Sequence, residues 1–419
     1  MRLLARVTTG VLLMLAVGAC TERPMPIAPQ SNKEFTEVPP KDRFQEIRLP
    51  QNLGPDDFVD ITAGASHTCA RKMDNTVYCW GRNDHGQAGS SVSQKCVGDI
   101  DCVNSPRKLS VTYADFLART IDAGAHHTCA LGMKTDAYCW GDGNEGQAGT
   151  GPYYTSVGSE VLPVFGGLEF SSISAGSNST CGTTSSGMHC WGSMMNRAPT
   201  PQLVSSFNAY NTVTVGADHA CTLWPAGSIV QVHCWGLNLF GQLGMTIQGG
   251  AVAFSNTSDF TDQAIRVTTE ASFTCVEQQK GTVECAGLNQ FGQLGNGQSG
   301  SFNSTGTPQT VGGGMLLYGV TTGSSHACAL SGPGDAFCWG SGSSGKLGNG
   351  GIADASTPRP VAGGLTYRAI AAGGEHTCAI GTDNIIYCWG GNRYGQLGIQ
   401  GSSKELTQWE PTQTLPLER

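Results

Sequence analysis

A chain of 419 residues with 59 glycines and only 13% charged residues, against a typical ~25%, has little material for solvated helices. Its 24 Lys and Arg against 32 Asp and Glu leave a formal net charge of −8. That balance, with no basic cluster along the chain, argues against nucleic acid as a partner. No convincing amphipathic helix is found beyond the first twenty residues, so short strands joined by tight turns are expected.

The N-terminus comes first. Arg2 and Arg6 precede an apolar stretch, Val11 to Val17, that is too short to span a bilayer. Residues 1–19 therefore read as a secretion signal. The stretch Leu15-Ala16-Val17-Gly18-Ala19-Cys20 resembles the bacterial lipobox, which implies lipidation of Cys20 and a membrane anchor there. An ordinary signal peptide with a chance cysteine is the rival. Thr21 follows Cys20, where an Asp would imply a different sorting, so the expected location is the bacterial outer membrane, facing the periplasm or the cell surface. Residues 20–49 are polar and carry Pro24, Pro26, Pro29, Pro39 and Pro40, the composition of a semi-extended tether. Residues 50–419 are the expected folded part.

Fourteen of the 17 cysteines fall into seven pairs: Cys69/Cys79, Cys129/Cys139, Cys181/Cys190, Cys221/Cys234, Cys275/Cys285, Cys328/Cys338 and Cys378/Cys388. Cys20 and a short extra pair, Cys96/Cys102, account for the rest. Five of the seven pairs centre on Asp74, Lys134, Lys280, Pro333 and Asp383, among turn formers such as Asp74-Asn75, Lys280-Gly281 and Asp383-Asn384. An odd loop centred there suits a three-residue hairpin loop with one left-handed residue. Each pair would then face across two antiparallel strands, within disulfide reach. Structural zinc is the competing reading, but its ligands are usually two to four residues apart and none of the seven pairs has that spacing. An exported chain also favours oxidation.

The recurring unit reads Ala-Gly-x-x-His-Thr-Cys-Ala, a turn, then Tyr-Cys-Trp-Gly-x-Asn-x-x-Gly-Gln-Leu-Gly. It is fullest from Ala372 to Ala379 and from Tyr387 to Gly398. A unit repeated at this period signals a repeat architecture. The motif resembles the regulator of chromosome condensation repeat over roughly residues 58–415. The resemblance implies an all-β fold: a seven-bladed β-propeller of four-stranded antiparallel blades. The third copy lacks Gly-Gln-Leu-Gly, and the fifth has Phe273 and Ala286 in place of His and Trp; thinner or irregular blades are expected there. A propeller can close by pairing strands from its two ends. The strand near Pro411–Thr414 is expected to complete the blade begun near Phe58, with Leu49-Pro50 as a competitor.

Five histidines share one phase: His67, His127, His219, His326 and His376. A ring of metal-binding imidazoles is the sharp reading. The resemblance implies instead that each His satisfies backbone groups within its own blade. Trp80, Trp140, Trp191, Trp235, Trp339 and Trp389 are expected to pack between blades. No catalytic residue, metal site or cofactor is identified: there is no Gly-x-Ser-x-Gly elbow, His-Glu-x-x-His pair or clustered carboxylates. Extra length falls repeatedly just after the Gly-Gln-x-Gly position, in Ser90–Ser105, Thr150–Leu162, Met245–Gln263 and Asn296–Thr307. The same phase means the same face of the disc, and such insertions often build a binding surface. Tyr153, Tyr154 and Phe254 are the candidate aromatic contacts there.

The expected function is a lipid-anchored, non-catalytic propeller binding a protein or glycan. An extracytoplasmic enzyme of lyase or glycosidase type is the alternative. Guanine-nucleotide exchange, implied by family analogy, is remote for an exported chain.

Overall fold

The computed structural model describes residues 53–109, 116–152, 156–210, 212–247, 251–253, 258–261, 263–300, 303–399 and 406–416. Seven antiparallel sheets follow one another along the chain. Blade 1 is built from Phe58–Ala63, His67–Lys72, Val77–Arg82 and Asp101–Lys108, with a short extra strand, Gln94–Lys95, on its outer edge. Blade 7 is built from Tyr367–Ala372, His376–Gly381, Ile386–Gly391 and Thr407–Gln413. The other five sheets are four-stranded meanders in sequence order. The first strand of each blade packs against the first strands of its neighbours, and Phe58–Ala63 packs against Tyr367–Ala372, so the seven first strands form the central ring.

The hairpin between the second and third strands follows the turn chemistry. In blade 1 the Lys72 N–H donates to Thr76 O at 2.9 Å, the Asn75 N–H donates back to Lys72 O, and Asn75 takes a left-handed φ of 67°. Thr135, Gly281, Gly334 and Asn384 hold the same place in blades 2, 5, 6 and 7, with φ between 69° and 99°. These three-residue loops set the cysteines directly opposite each other in the register pairs Cys69↔Cys79, Cys129↔Cys139, Cys275↔Cys285, Cys328↔Cys338 and Cys378↔Cys388. Blades 3 and 4 reach the same pairing, Cys181↔Cys190 and Cys221↔Cys234, through hairpins whose last paired residues are Thr184↔Gly187 and Ala226↔Ile229. Only two residues turn the chain there, which accounts for the odd cysteine separations of 9 and 13.

The cysteine pairs read from the sequence are all bridged. Cys69–Cys79, Cys129–Cys139, Cys181–Cys190, Cys221–Cys234, Cys275–Cys285, Cys328–Cys338 and Cys378–Cys388 have Cα–Cα distances of 4.0–4.1 Å. Cys96–Cys102 forms at 5.9 Å. A one-residue slip would point the two sulfurs at opposite faces of the sheet, so each in-blade bridge also pins the register.

The ring does not close as the sequence suggests. Thr407–Gln413 pairs with Ile386–Gly391 of its own blade (Tyr387↔Gln413, Gly390↔Gln408), and blade 1 draws its fourth strand from Asp101–Lys108. Each repeat is therefore one complete blade, because the chain after every Gly-Gln-x-Gly turn returns to its own sheet. The ring is joined by side chains, by packing and by a backbone hydrogen bond from the Gly374 N–H to Gly64 O at 3.1 Å, with no strand exchanged; Leu49 and Pro50 lie outside the described residues. Blade 3 is not thinner either, since its outer strand, Ala198–Ser205, is full length, and blade 5 likewise has four strands.

Glycine at the end of the first strand lets the blades meet. A Cβ on Gly64 would lie 2.3 Å from the carbonyl oxygen of Gly124, and one on Gly373 would lie 2.5 Å from that of Gly64. Blade 5 carries Glu270 at this phase, and its carboxyl is pushed up to about 8, first by desolvation and then by Asp122 of blade 2.

Candidate binding face

The Gly-Gln-x-Gly turns build both the interblade joints and one face of the disc. In blade 1 the Asn83 side chain accepts from the Ala88 N–H at 3.0 Å and donates to Ser90 O at 2.8 Å, folding the turn on itself. Asn238, Asn289 and Asn392 accept in the same way from Leu243, Leu294 and Leu397. The Gln87 side-chain oxygen accepts from the His85 N–H at 2.9 Å. Gly86 is required at φ 80°, where a Cβ would stand 2.0 Å from the backbone of Gly158 in the next blade.

The turn then locks onto that next blade. Gln87 O accepts from Trp140 Nε1 and from Thr128 Oγ1, both at 3.0 Å. Gln147, Gln293, Lys346 and Gln396 carbonyls accept from Trp191, Trp339, Trp389 and Trp80 at 2.9–3.0 Å, the last closing the ring. Trp80, Trp140, Trp191, Trp339 and Trp389 are fully buried. Each buried indole removes ~150–250 Å² from water, worth several kcal/mol at ~25 cal per Å², and none of these five leaves a face for a ligand to stack on.

The five repeat histidines also reach across blades, and this corrects the expectation that each serves its own. His67 Nε2 meets Thr128 Oγ1 at 2.8 Å, His127 meets Thr180, His219 meets Thr274, His326 meets Thr377, and His376 meets Thr68. The Thr hydroxyl donates to the turn carbonyl beneath it (Thr128 to Gln87 O, Thr377 to Lys346 O). The imidazole Nε2–H therefore donates to the hydroxyl oxygen. The two exceptions explain each other. Blade 3 has Ser179 at the His phase and blade 4 has Ala220 at the Thr phase; blade 5 has Phe273 and blade 6 has Ala327. Where one partner is missing, so is the other. A lone His or Thr would leave a buried polar group unsatisfied, at ~1–3 kcal/mol. That paired loss was visible in the sequence and is the signal that finds the partners.

Desolvation holds His127, His219 and His376 down to about 3, and lowers His67 and His326 well below the ordinary value. These are buried, neutral joints between blades. Among the described residues no group of three or more His, Cys, Asp or Glu is placed to hold a metal ion.

What differs between blades is the pair of residues ahead of each turn glycine. Blades 1 and 7 present Asp84-His85 and Arg393-Tyr394, while blades 4 and 5 present Leu239-Phe240 and Gln290-Phe291. Around blade 1, Arg82 binds Asp84 with two nitrogens at 2.8 and 2.6 Å and lies 5.1 Å from the Tyr394 ring centre. The His85 and His126 rings stand 5.5 Å apart. Desolvation and then the nearby Arg82 charge hold His126 below its ordinary value. On blade 4, Leu239 is 49% and Phe240 37% exposed. The insertion after the first turn is a hairpin, Gln94–Lys95 against Asp101–Lys108, closed by Cys96–Cys102. Tyr153, Tyr154 and Phe254 lie outside the described residues, as does Cys20.

The geometry defines a disulfide-pinned seven-bladed β-propeller with a repeated scaffold and a varied turn face. Two models of the regulator of chromosome condensation (RCC1) repeat match the chain, one over residues 74–131 and 333–380 and the other over 58–87 and 367–396. The chain carries RCC1 repeats at both ends of its propeller. It is 25% identical over 308 residues to the human E3 ubiquitin-protein ligase HERC2, covering 70% of this chain but 6% of that protein. It is 25% identical over 310 residues to the ultraviolet-B receptor UVR8 of Arabidopsis thaliana, covering 71% of this chain and 68% of the receptor. Prp20p of Saccharomyces cerevisiae superposes with a TM-score of 0.69 at 19% identity, over 89% of each chain. At that identity the likeness is one of fold.

Proposed function

We propose that this protein is a non-catalytic binding propeller, lipid-anchored at Cys20, that takes a protein partner on its turn face. One observation carries the reading. The residues that join the blades repeat around the ring, whereas the two residues ahead of each turn glycine change from blade to blade on one face. The insertions follow those same turns, including the stapled Gln94–Asp101 hairpin. Repeat proteins place their binding surfaces in this way. Relatives offer the same kind of reading, since Prp20p is described by its binding to Gsp1p and histones. Residues 1–19 as a signal, 20–49 as a tether and an outer-membrane address complete the proposal. A glycan is the other ligand class.

The test is crosslinking from the full-length chain, tagged at its C-terminus, in the native envelope. The expected result is a stoichiometric protein partner that is lost when the inserted hairpin Ser91–Ile100 is replaced by a short Gly-Ser link, with Cys102→Ser, leaving the blade strand Asp101–Lys108 in place. Turnover of a glycan panel without any protein partner would refute the reading. The anchor is tested separately: Cys20→Ala should release the chain from the membrane fraction.

A further inference from the structure

Six of the seven blade interfaces are covered by a turn whose carbonyl bonds the next blade. The interface between blades 3 and 4 is the exception. Blade 3 has no Gly-Gln-x-Gly; in its place stands a single 3-10 turn, Ser193–Met195, that leaves through left-handed Asn196 and Arg197. The missing turn leaves an open cavity of about 340 Å³ on the turn face, lined by Met194, Met195, Val204, Trp235 and Val252. Asp218 lines the same cavity. Its backbone is held by the Leu237 N–H at 2.8 Å, its side chain is exposed, and its carboxylate makes no hydrogen bond or ion pair among the described residues.

We propose that this notch is a docking site for a partner's polypeptide segment that presents one large apolar side chain beside a Lys or Arg. The volume is at the small end of the ~300–1,000 Å³ range of ligand pockets, so it suits one side chain. The wall is apolar, and its two methionines are flexible and polarisable enough to mould around aliphatic or aromatic groups. Other blades spend the equivalent surface on an interblade joint; here it faces solvent, as a docking surface does. Charge sets the neighbour of the anchor. The lone carboxylate of Asp218 favours a cation, and the chain's net charge of −8 steers a basic segment toward it. The inference rests on the reading as a binding propeller and names where and what it binds.

A display library of random dodecapeptides, selected on the full-length chain, tests it. Enriched peptides should place Leu, Met or Phe within two positions of Lys or Arg. A synthetic version of the best peptide should bind Ala251→Trp, which fills the notch from its exposed edge, at least about tenfold more weakly, a loss of ~1.4 kcal/mol. Asp218→Asn should weaken it less and flatten its salt dependence. Matched thermal unfolding of both variants confirms that they fold. Peptides without a basic residue, or unchanged affinity for Ala251→Trp, would overturn the notch, as would a library that yields no binder. Peptides that instead respond to replacement of Ser91–Ile100, which spares the strand Asp101–Lys108, would overturn the notch and leave the binding-face reading standing.

Discussion

His376 in the last blade and Thr68 in the first share a 2.8 Å hydrogen bond between residues 308 positions apart. No strand is exchanged at this seam. Thr68 also donates to Gln396 O at 3.0 Å, Trp80 donates to the same carbonyl at 2.9 Å, and the Arg368 guanidinium donates to Phe58 O. The last joint is thus made of the same parts as the others, and a bridging arginine also stands between blades 2 and 3, where Arg119 donates to Ser171 O at 3.1 Å.

Breaking that joint should weaken the whole ring. His376→Ala and Thr68→Ala should each cost ~1–3 kcal/mol, because each leaves a buried partner unsatisfied. The double variant should cost less than the sum, by a coupling of ~0.5–3 kcal/mol. Denaturant unfolding of the four proteins measures it, and strict additivity would refute the pairing.

Acid should unfold the propeller through its histidines. The five repeat histidines are depressed in the folded state, three of them to about 3. Their contribution is fully present above the unfolded value of ~6.5 and is lost as pH falls toward the folded values, because the unfolded chain binds the protons first. The melting temperature should therefore drop steeply below about pH 6. A His127→Gln variant, less stable at neutral pH, should show a shallower acid slope.

Glu270 should act in the opposite direction. Its carboxyl is raised to about 8, so the folded state keeps a proton that the unfolded chain has released. The stability it contributes is present below the ordinary carboxylate value near 4.5 and declines as pH rises to about 8. Glu270→Gln, which cannot ionise, should raise the melting temperature at pH 8.5 more than at pH 5. Equal shifts at both pH values would count against a protonated Glu270.

The two kinds of disulfide should separate in their consequences. Cys378→Ala with Cys388→Ala removes a bridge whose two cysteines are fully buried and should cost ~2–4 kcal/mol. Cys96→Ser with Cys102→Ser opens a bridge that ties the inserted hairpin to the buried Cys102 of blade 1's outer strand across a separation of only 6 residues, so it should lower the melting temperature less than loss of Cys378–Cys388 while reducing partner capture. Thiol labelling of the unreduced, unfolded wild type should modify none of these cysteines.

Much of this molecule is legible by eye. Each blade's hairpin is dictated locally, in five blades by cysteines ten residues apart and a residue such as Asn75 or Gly281 that tolerates a left-handed φ. Short-range chemistry needs no knowledge of the rest of the chain, so blade number, disulfide pairing and the buried role of the tryptophans follow from the sequence alone. The partners of the histidines do not, because they lie one blade away, at separations that run from 51 residues to 308. The within-chain pattern of paired losses at Ser179 and Ala220, and at Phe273 and Ala327, carried that information in a form that spacing does not reveal. Ring closure and the notch beside Asp218 were decided only in three dimensions. Both depend on how finished blades pack side by side, and a missing turn becomes a cavity only because the next blade's Trp235, at the position that such a turn covers elsewhere, lines the gap.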